Sequence, residues 1–140
     1  MRFYDPACSP RGNLLAYCVE NAAAPANSRF QLRRYDFTDG RDELVLAADD
    51  RLEQPAWSPD ESVLLFAQKQ NATLALAAVK LADGSKHAAG GDLYHLTSAA
   101  GHNTSPIWEA ANDRILFTSD RGRGLEFSAI FGLPVPPALR

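Results

Sequence analysis

Chemistry in this sequence would have to come from three histidines (His87, His95, His102), two cysteines (Cys8, Cys18) and one charged run, TSDRGRG, at 118–124. A zinc site needs ligands at close, regular spacing, such as Cys-x-x-Cys or His-Glu-x-x-His. None of these residues is so placed, and no metal or cofactor is expected. Acyl transfer through Ser-His-Asp would need a nucleophile elbow, Gly-x-Ser-x-Gly, and the chain has none. GRG at 122–124 lacks the lysine and the following helix of a phosphate loop. The reading is therefore non-enzymatic. Recognition of a protein or peptide remains, with His102, Asp120, Arg121 and Arg123 as the candidate contacts. The loops 20–29, 83–92 and 98–105 are long enough to carry such contacts.

The elements that hold these residues follow from composition and pattern. The chain has 140 residues, 46% apolar and 22% charged, which suits one globular domain. A net charge of −3 argues against a nucleic-acid partner. The longest apolar runs, such as LALAAV at 74–79, are too short to enter a membrane as a spanning helix. No basic tip followed by an apolar core opens the chain, so a cytoplasmic setting is expected for the chain as it stands. A turn at 11–13 would pair residue 8 with about residue 16, which argues against a Cys8–Cys18 disulfide. Both cysteines are expected to be small buried apolar residues.

Three windows align without a gap: PACSPRGNLLAY from Pro6, PAWSPDESVLLF from Pro55 and PIWEAANDRILF from Pro106. Their offsets are 49 and 51 residues. A period near 50 signals a repeat array, too long for a helical solenoid. The runs NLLAYCV, SVLLFAQ and RILFTSD are short, apolar and bounded by turn residues, as strands are. Gly12 and Asn112 fall at equivalent corner positions and both tolerate φ > 0, whereas Glu61 there implies a different turn. Each proline is read as the first residue of a strand, where no ladder donor is lost. FQLRRYDF (30–37) turns at Thr38-Asp39-Gly40 into DELVLA, and TLALAAVKL (73–81) turns at Ala82-Asp83-Gly84 on the way to LYHLTS (93–98). Each repeat is then four antiparallel strands, one blade of an all-β propeller. No helical segment is expected.

Trp57-Ser58-Pro59-Asp60 before LLF, then LADG, LTSAAGHNTSPIW and Phe117-Thr-Ser-Asp-Arg-Gly122 resemble the WD40-like β-propeller repeat of the TolB family. The same repeat is similar to blades of prolyl-oligopeptidase-type and tricorn-type peptidases. The resemblance covers about residues 4–131. It implies a single partial propeller over 1–140, half or a fragment of a six-bladed one, with blades at about 4–52, 53–103 and 104–131 and a tail at 132–140. It implies that the Trp-Ser-Pro strand is innermost. Trp57, Phe66, Trp108 and Phe117 are then blade-core residues, and VLLF is buried on both faces. It also implies that Asp120 and Arg121 order a rim turn, with partner contact as the lesser role.

The function expected is a non-catalytic scaffold for protein or peptide binding. The alternative is the propeller portion of a peptidase or other hydrolase whose catalytic domain is not in this chain. If the chain is a fragment of a longer TolB-like precursor, the resemblance implies a periplasmic setting. Three blades leave apolar faces unpaired, so a homodimer, or a partner that completes the ring, is expected. The N-terminal MRFY is read as a strand that completes the partner's third blade.

Overall fold

The computed structural model describes residues 1–81, 92–98, 100–122 and 128–140. Among the described residues, runs of apolar residues broken by tight corners give eleven strands. The first sheet holds β1 (Arg2–Cys8), β2 (Leu14–Glu20), β3 (Phe30–Asp36) and β4 (Arg41–Ala48). The second holds β5 (Leu52–Trp57), β6 (Val63–Gln70), β7 (Thr73–Lys80) and β8 (Asp92–His95). The third holds β9 (Asn103–Glu109), β10 (Arg114–Ser119) and β11 (Ala129–Pro134). Strands follow sequence order within each sheet and pair antiparallel throughout. These sheets of four, four and three strands are three blades of a partial β-propeller. The helical content among the described residues is three single 3₁₀ turns, at 26–28, 110–112 and 137–139.

The inner strands β1, β5 and β9 touch in succession, and each later one also packs on its predecessor's second strand. Between blades 1 and 2 lie Ala16, Cys18 and Leu32 from one side and Trp57, Leu64 and Phe66 from the other. Between blades 2 and 3 lie Val63, Leu65 and Ala78 against Ile115. The middle blade is therefore covered twice. Its VLLFA run is wholly buried, whereas the equivalent LLAYC of β2 alternates between buried and half-buried. Identical patterning thus has different fates, decided by whether a neighbouring blade is present.

The Ser-Pro corners are built from local hydrogen bonds. The Ser58 hydroxyl accepts from the Val63 N–H at 2.9 Å, and in blade 1 the Ser9 hydroxyl accepts from Leu14 N–H at 3.1 Å. Asp60 Oδ1 accepts from the Ser62 hydroxyl at 2.7 Å, the Ser62 N–H at 3.0 Å and the Ser58 hydroxyl at 2.7 Å. These bonds, the Ser62 hydroxyl first, hold the Asp60 carboxyl below the usual carboxylate range against a smaller effect of burial. A depressed native pKa adds stability above the unfolded value of about 3.9 and loses it as pH falls through the native one. Asp60→Asn should therefore lower the melting temperature near neutral pH. The wild-type and variant curves should converge as pH falls through the depressed native value of the carboxyl. Parallel curves across that range would show that the corner carboxylate does not carry the effect.

Several expectations need correction. Each proline lies inside an inner strand, not at a strand start. Asp5-Pro6, Gln54-Pro55 and Ser105-Pro106 are bulges, two residues facing one on the neighbouring strand. The bulge takes the proline nitrogen out of the ladder, which is why proline is tolerated there. MRFY belongs to the first blade of its own chain rather than standing free for a partner's third: Arg2, Phe3 and Tyr4 pair with Glu20, Val19 and Cys18. The left-handed corner residue of the third copy is Asp113 (φ 50°), not Asn112, because the 3₁₀ turn 110–112 delays it by one position. Glu61 makes the same turn as Gly12, not a different one: both are left-handed, at φ 65° and 77°, and their N–H groups donate to the serine carbonyl three residues back at 3.0 and 2.9 Å. The Glu61 carboxylate, however, accepts from the Arg11 N–H at 2.9 Å across the blade boundary. GLPVPPALR does enter the third sheet, through Pro134, and then turns back so that Val135 and Leu139 are buried against blade 2. Cys18 is buried but Cys8 is exposed, and both are free thiols. Burial, then the Asp5 and Glu53 carboxylates, push the Cys18 thiol up to about 12.

Candidate functional site

The three bulges place one polar residue of each blade at the same point of its inner strand, each with left-handed backbone: Asp5 at φ 52°, Gln54 at 54° and Ser105 at 52°. That conformation is costly for a residue with a side chain. It is offset by a row of hydrogen bonds running from blade to blade. The Gln54 N–H donates to Asp5 Oδ2 at 2.9 Å, and the Ser105 N–H donates to Gln54 Oε1 at 2.7 Å. Each side chain thus satisfies the amide that its neighbour's bulge leaves out of the ladder. Alongside this row, the Trp57 indole N–H donates to the Ala7 carbonyl at 2.9 Å, and the Tyr4 hydroxyl to the Leu52 carbonyl at 2.8 Å. Desolvation holds the Tyr4 pKa up, so the hydroxyl remains a donor at all ordinary pH.

Just before or at the first residue of each inner strand stand Arg2, Arg51 and His102, at the same 49- and 51-residue offsets as the prolines. They form one row on the rim of the propeller. Arg2 and Arg51 both lie over the Tyr4 ring, at 5.1 and 5.2 Å from its centroid. Each also meets an acid, Glu20 at 3.2 Å for Arg2 and Glu53 at 2.5 Å for Arg51. His102 is held by its backbone: its N–H donates to Asp120 Oδ1 at 2.6 Å, which leaves the imidazole exposed.

The other sequence candidates fall around this corner. Asp120 is buried, with its carboxylate spent on the His102 amide. The exposed Arg121 has its guanidinium 6.0 Å from the Phe117 centroid and 5.7 Å from that of Phe131. A side-chain carbon at Gly101 would come within 3.1 Å of Arg121 backbone and of Asp120, and φ is +87° there, so glycine alone fits. The buried Asn103 closes the corner, its amide donating to the Leu74 carbonyl at 3.1 Å and that of Gly101 at 3.2 Å. Arg123 and His87 lie outside the described residues, as does the Asp83-Gly84 turn. Trp57, Phe66 and Phe117 are buried, at 7%, 0% and 4% exposure, and Trp108 is half-buried. His95 lies on the outer strand β8, away from His102. Among the described residues no cluster of three His, Cys, Asp or Glu is placed to hold a metal ion. Sequence reasoning missed Arg2, Arg51 and the Asp5–Gln54–Ser105 row. Extending the aligned windows a few residues upstream of each proline would have exposed both.

The open face of blade 1 carries an apolar groove of about 360 Å³ lined by Phe3, Tyr4, Pro6, Leu15, Tyr17 and Tyr35.

No protein-family model matches the chain. Solved structures do. A putative TolB from Agrobacterium tumefaciens matches 96% of this chain at 18% identity with a TM-score of 0.72, over 46% of its own length. TolB from Acinetobacter baumannii matches 94% at 19% identity and a TM-score of 0.67, over 29% of its length. An acylaminoacyl peptidase from Pyrococcus horikoshii matches 89% at 20% identity and a TM-score of 0.59, over 18% of its length. The chain thus spans less than half of each of these proteins. At such identities the likeness is one of fold.

Proposed function

We propose that this chain is a non-catalytic β-propeller scaffold that binds a protein or peptide along its inner-strand rim. The observation that carries this reading is the repeated row of Arg2, Arg51 and His102. It offers two guanidinium groups and one imidazole at matched positions, held by backbone bonds and ring contacts rather than by any reacting group. Such a row suits extended recognition, with Arg121 beside it. The stronger structural likeness to TolB proteins than to the peptidase supports a binding role and a periplasmic setting. The likeness to the acylaminoacyl peptidase supports a second reading, the propeller portion of a hydrolase. An α/β-hydrolase domain encoded in the same polypeptide would favour it.

The test is selection from a displayed peptide library on the full chain, followed by affinity measurement. Peptides that bind should lose about tenfold or more, about 1.4 kcal/mol, on the double substitution Arg51→Ala with His102→Ala. Unchanged affinity, or no selected peptide, would defeat the proposed rim. A fluorophosphonate probe should label no serine; serine-dependent labelling would defeat the non-catalytic reading.

A further inference from the structure

We infer that a second copy of this chain docks head to tail on the first, the open face of its blade 1 on the open face of blade 3, and that two such contacts close a six-bladed ring. The two interfaces inside the chain show what each face takes. The face of blade 2 turned to blade 1 presents Leu52, Trp57, Leu64 and Phe66. The same positions of blade 3, turned to blade 2, are Asn103, Trp108, Ile115 and Phe117. In blade 1 those positions are Phe3, Cys8, Leu15 and Tyr17, and among the described residues no blade covers them. The opposite face runs from Ala7, Leu14, Ala16 and Cys18 in blade 1, through Ala56, Val63, Leu65 and Ala67 in blade 2, to Ile107, Arg114, Leu116 and Thr118 in blade 3. That last set is likewise uncovered, with Ile107 at 55% and Ile130, opposite Thr118, at 76% exposure. Phe3 at 62% exposure marks the other open face. A further blade added to blade 3 would present the set that blade 1 presents, so the complementary surface is this chain's own.

The inner row of hydrogen bonds points the same way. It ends at the Asp5 N–H on one open face and the Ser105 hydroxyl on the other, the donor and acceptor of the next link. The polar residues of blade 3's open face are already partnered and tolerate being covered. Arg114 meets Glu109 at 2.8 Å, and the Thr104 and Thr118 hydroxyls lie 2.8 Å apart. Two copies give six blades, within the usual four to eight or so of a closed propeller, and three copies would exceed that range. Head-to-tail contacts that close produce a finite ring rather than a filament.

Sedimentation equilibrium of the full chain should give twice its 15.2 kDa mass. Phe3→Asp and Ile130→Glu, both at exposed positions, should each give single-chain mass with an unchanged circular dichroism spectrum. Mixing the two variants should restore a dimer, because the mixed pair keeps one unaltered contact. Ser105 reaches less far than Asp5 or Gln54, so Ser105→Asn should tighten the dimer by up to about tenfold. A wild-type chain of single mass at all concentrations would overturn the inference. So would a dimer that survives both substitutions, or a mixture of the variants that stays monomeric.

Discussion

Trp57→Ala is expected to destabilise the chain by about 3–5 kcal/mol, the range for truncating a large buried aromatic. The ring is 7% exposed and packs between blades 1 and 2 with Leu64, Phe66, Ala16 and Cys18. Its removal leaves a cavity that two stiff sheets cannot collapse to fill. It also strips the Ala7 carbonyl of its indole donor, 2.9 Å away, inside a region that water does not reach easily. Denaturant titration followed by circular dichroism measures the loss. A midpoint close to that of the parent would show that the ring does not hold the two blades together.

Phe66→Ala should cost about as much, about 3–5 kcal/mol. The comparison that tests the reason is Tyr17→Ala, at the equivalent position of blade 1. Phe66 is fully buried because blade 1 covers it, whereas Tyr17 is half-buried and open to the groove. Tyr17→Ala, measured at dilutions where the chain is monomeric, should cost no more than about 1.5 kcal/mol by the area it loses. The two residues stand on equivalent strands with like neighbours in sequence, so strand propensity predicts equal costs. Equal measured costs would refute the account in which neighbouring blades decide burial.

The architecture could be read from the sequence because its signals are local and repeated. The Ser-Pro corners, the Asp39-Gly40 hairpin and the apolar runs each specify strands through short-range chemistry. What escaped was set by contacts between blades. Pro6, Pro55 and Pro106 look like strand starts, because a bulge stabilised from outside its own sheet leaves no mark in local propensity. Cys8 shares its position with Trp57, yet it is exposed, because among the described residues no blade covers that face of blade 1. The functional rim was harder still. Asp120 and Arg121 were legible as a charged pair, but the carboxylate is engaged by an amide 18 residues away, a fact that no spacing rule contains. Arg2 and Arg51 resemble ordinary surface arginines until the repeat sets them beside His102.

The bulge row also determines where this chain tolerates insertions and deletions. Its links join residues 49 and 51 positions apart, Asp5 to Gln54 and Gln54 to Ser105, with indistinguishable geometry at each end. The second interval is two residues longer than the first, yet the link at its end is made in the same way. A residue added within 21–29 would lengthen a loop and leave every inter-blade link in register. One added between Tyr4 and Ala7 would carry the bulge past its acceptor and turn the rest of β1 over, sending Ala7 outward and Cys8 inward. Length can therefore drift freely at the periphery of each repeat, while the few residues around each proline act as the gauge against which successive repeats are aligned.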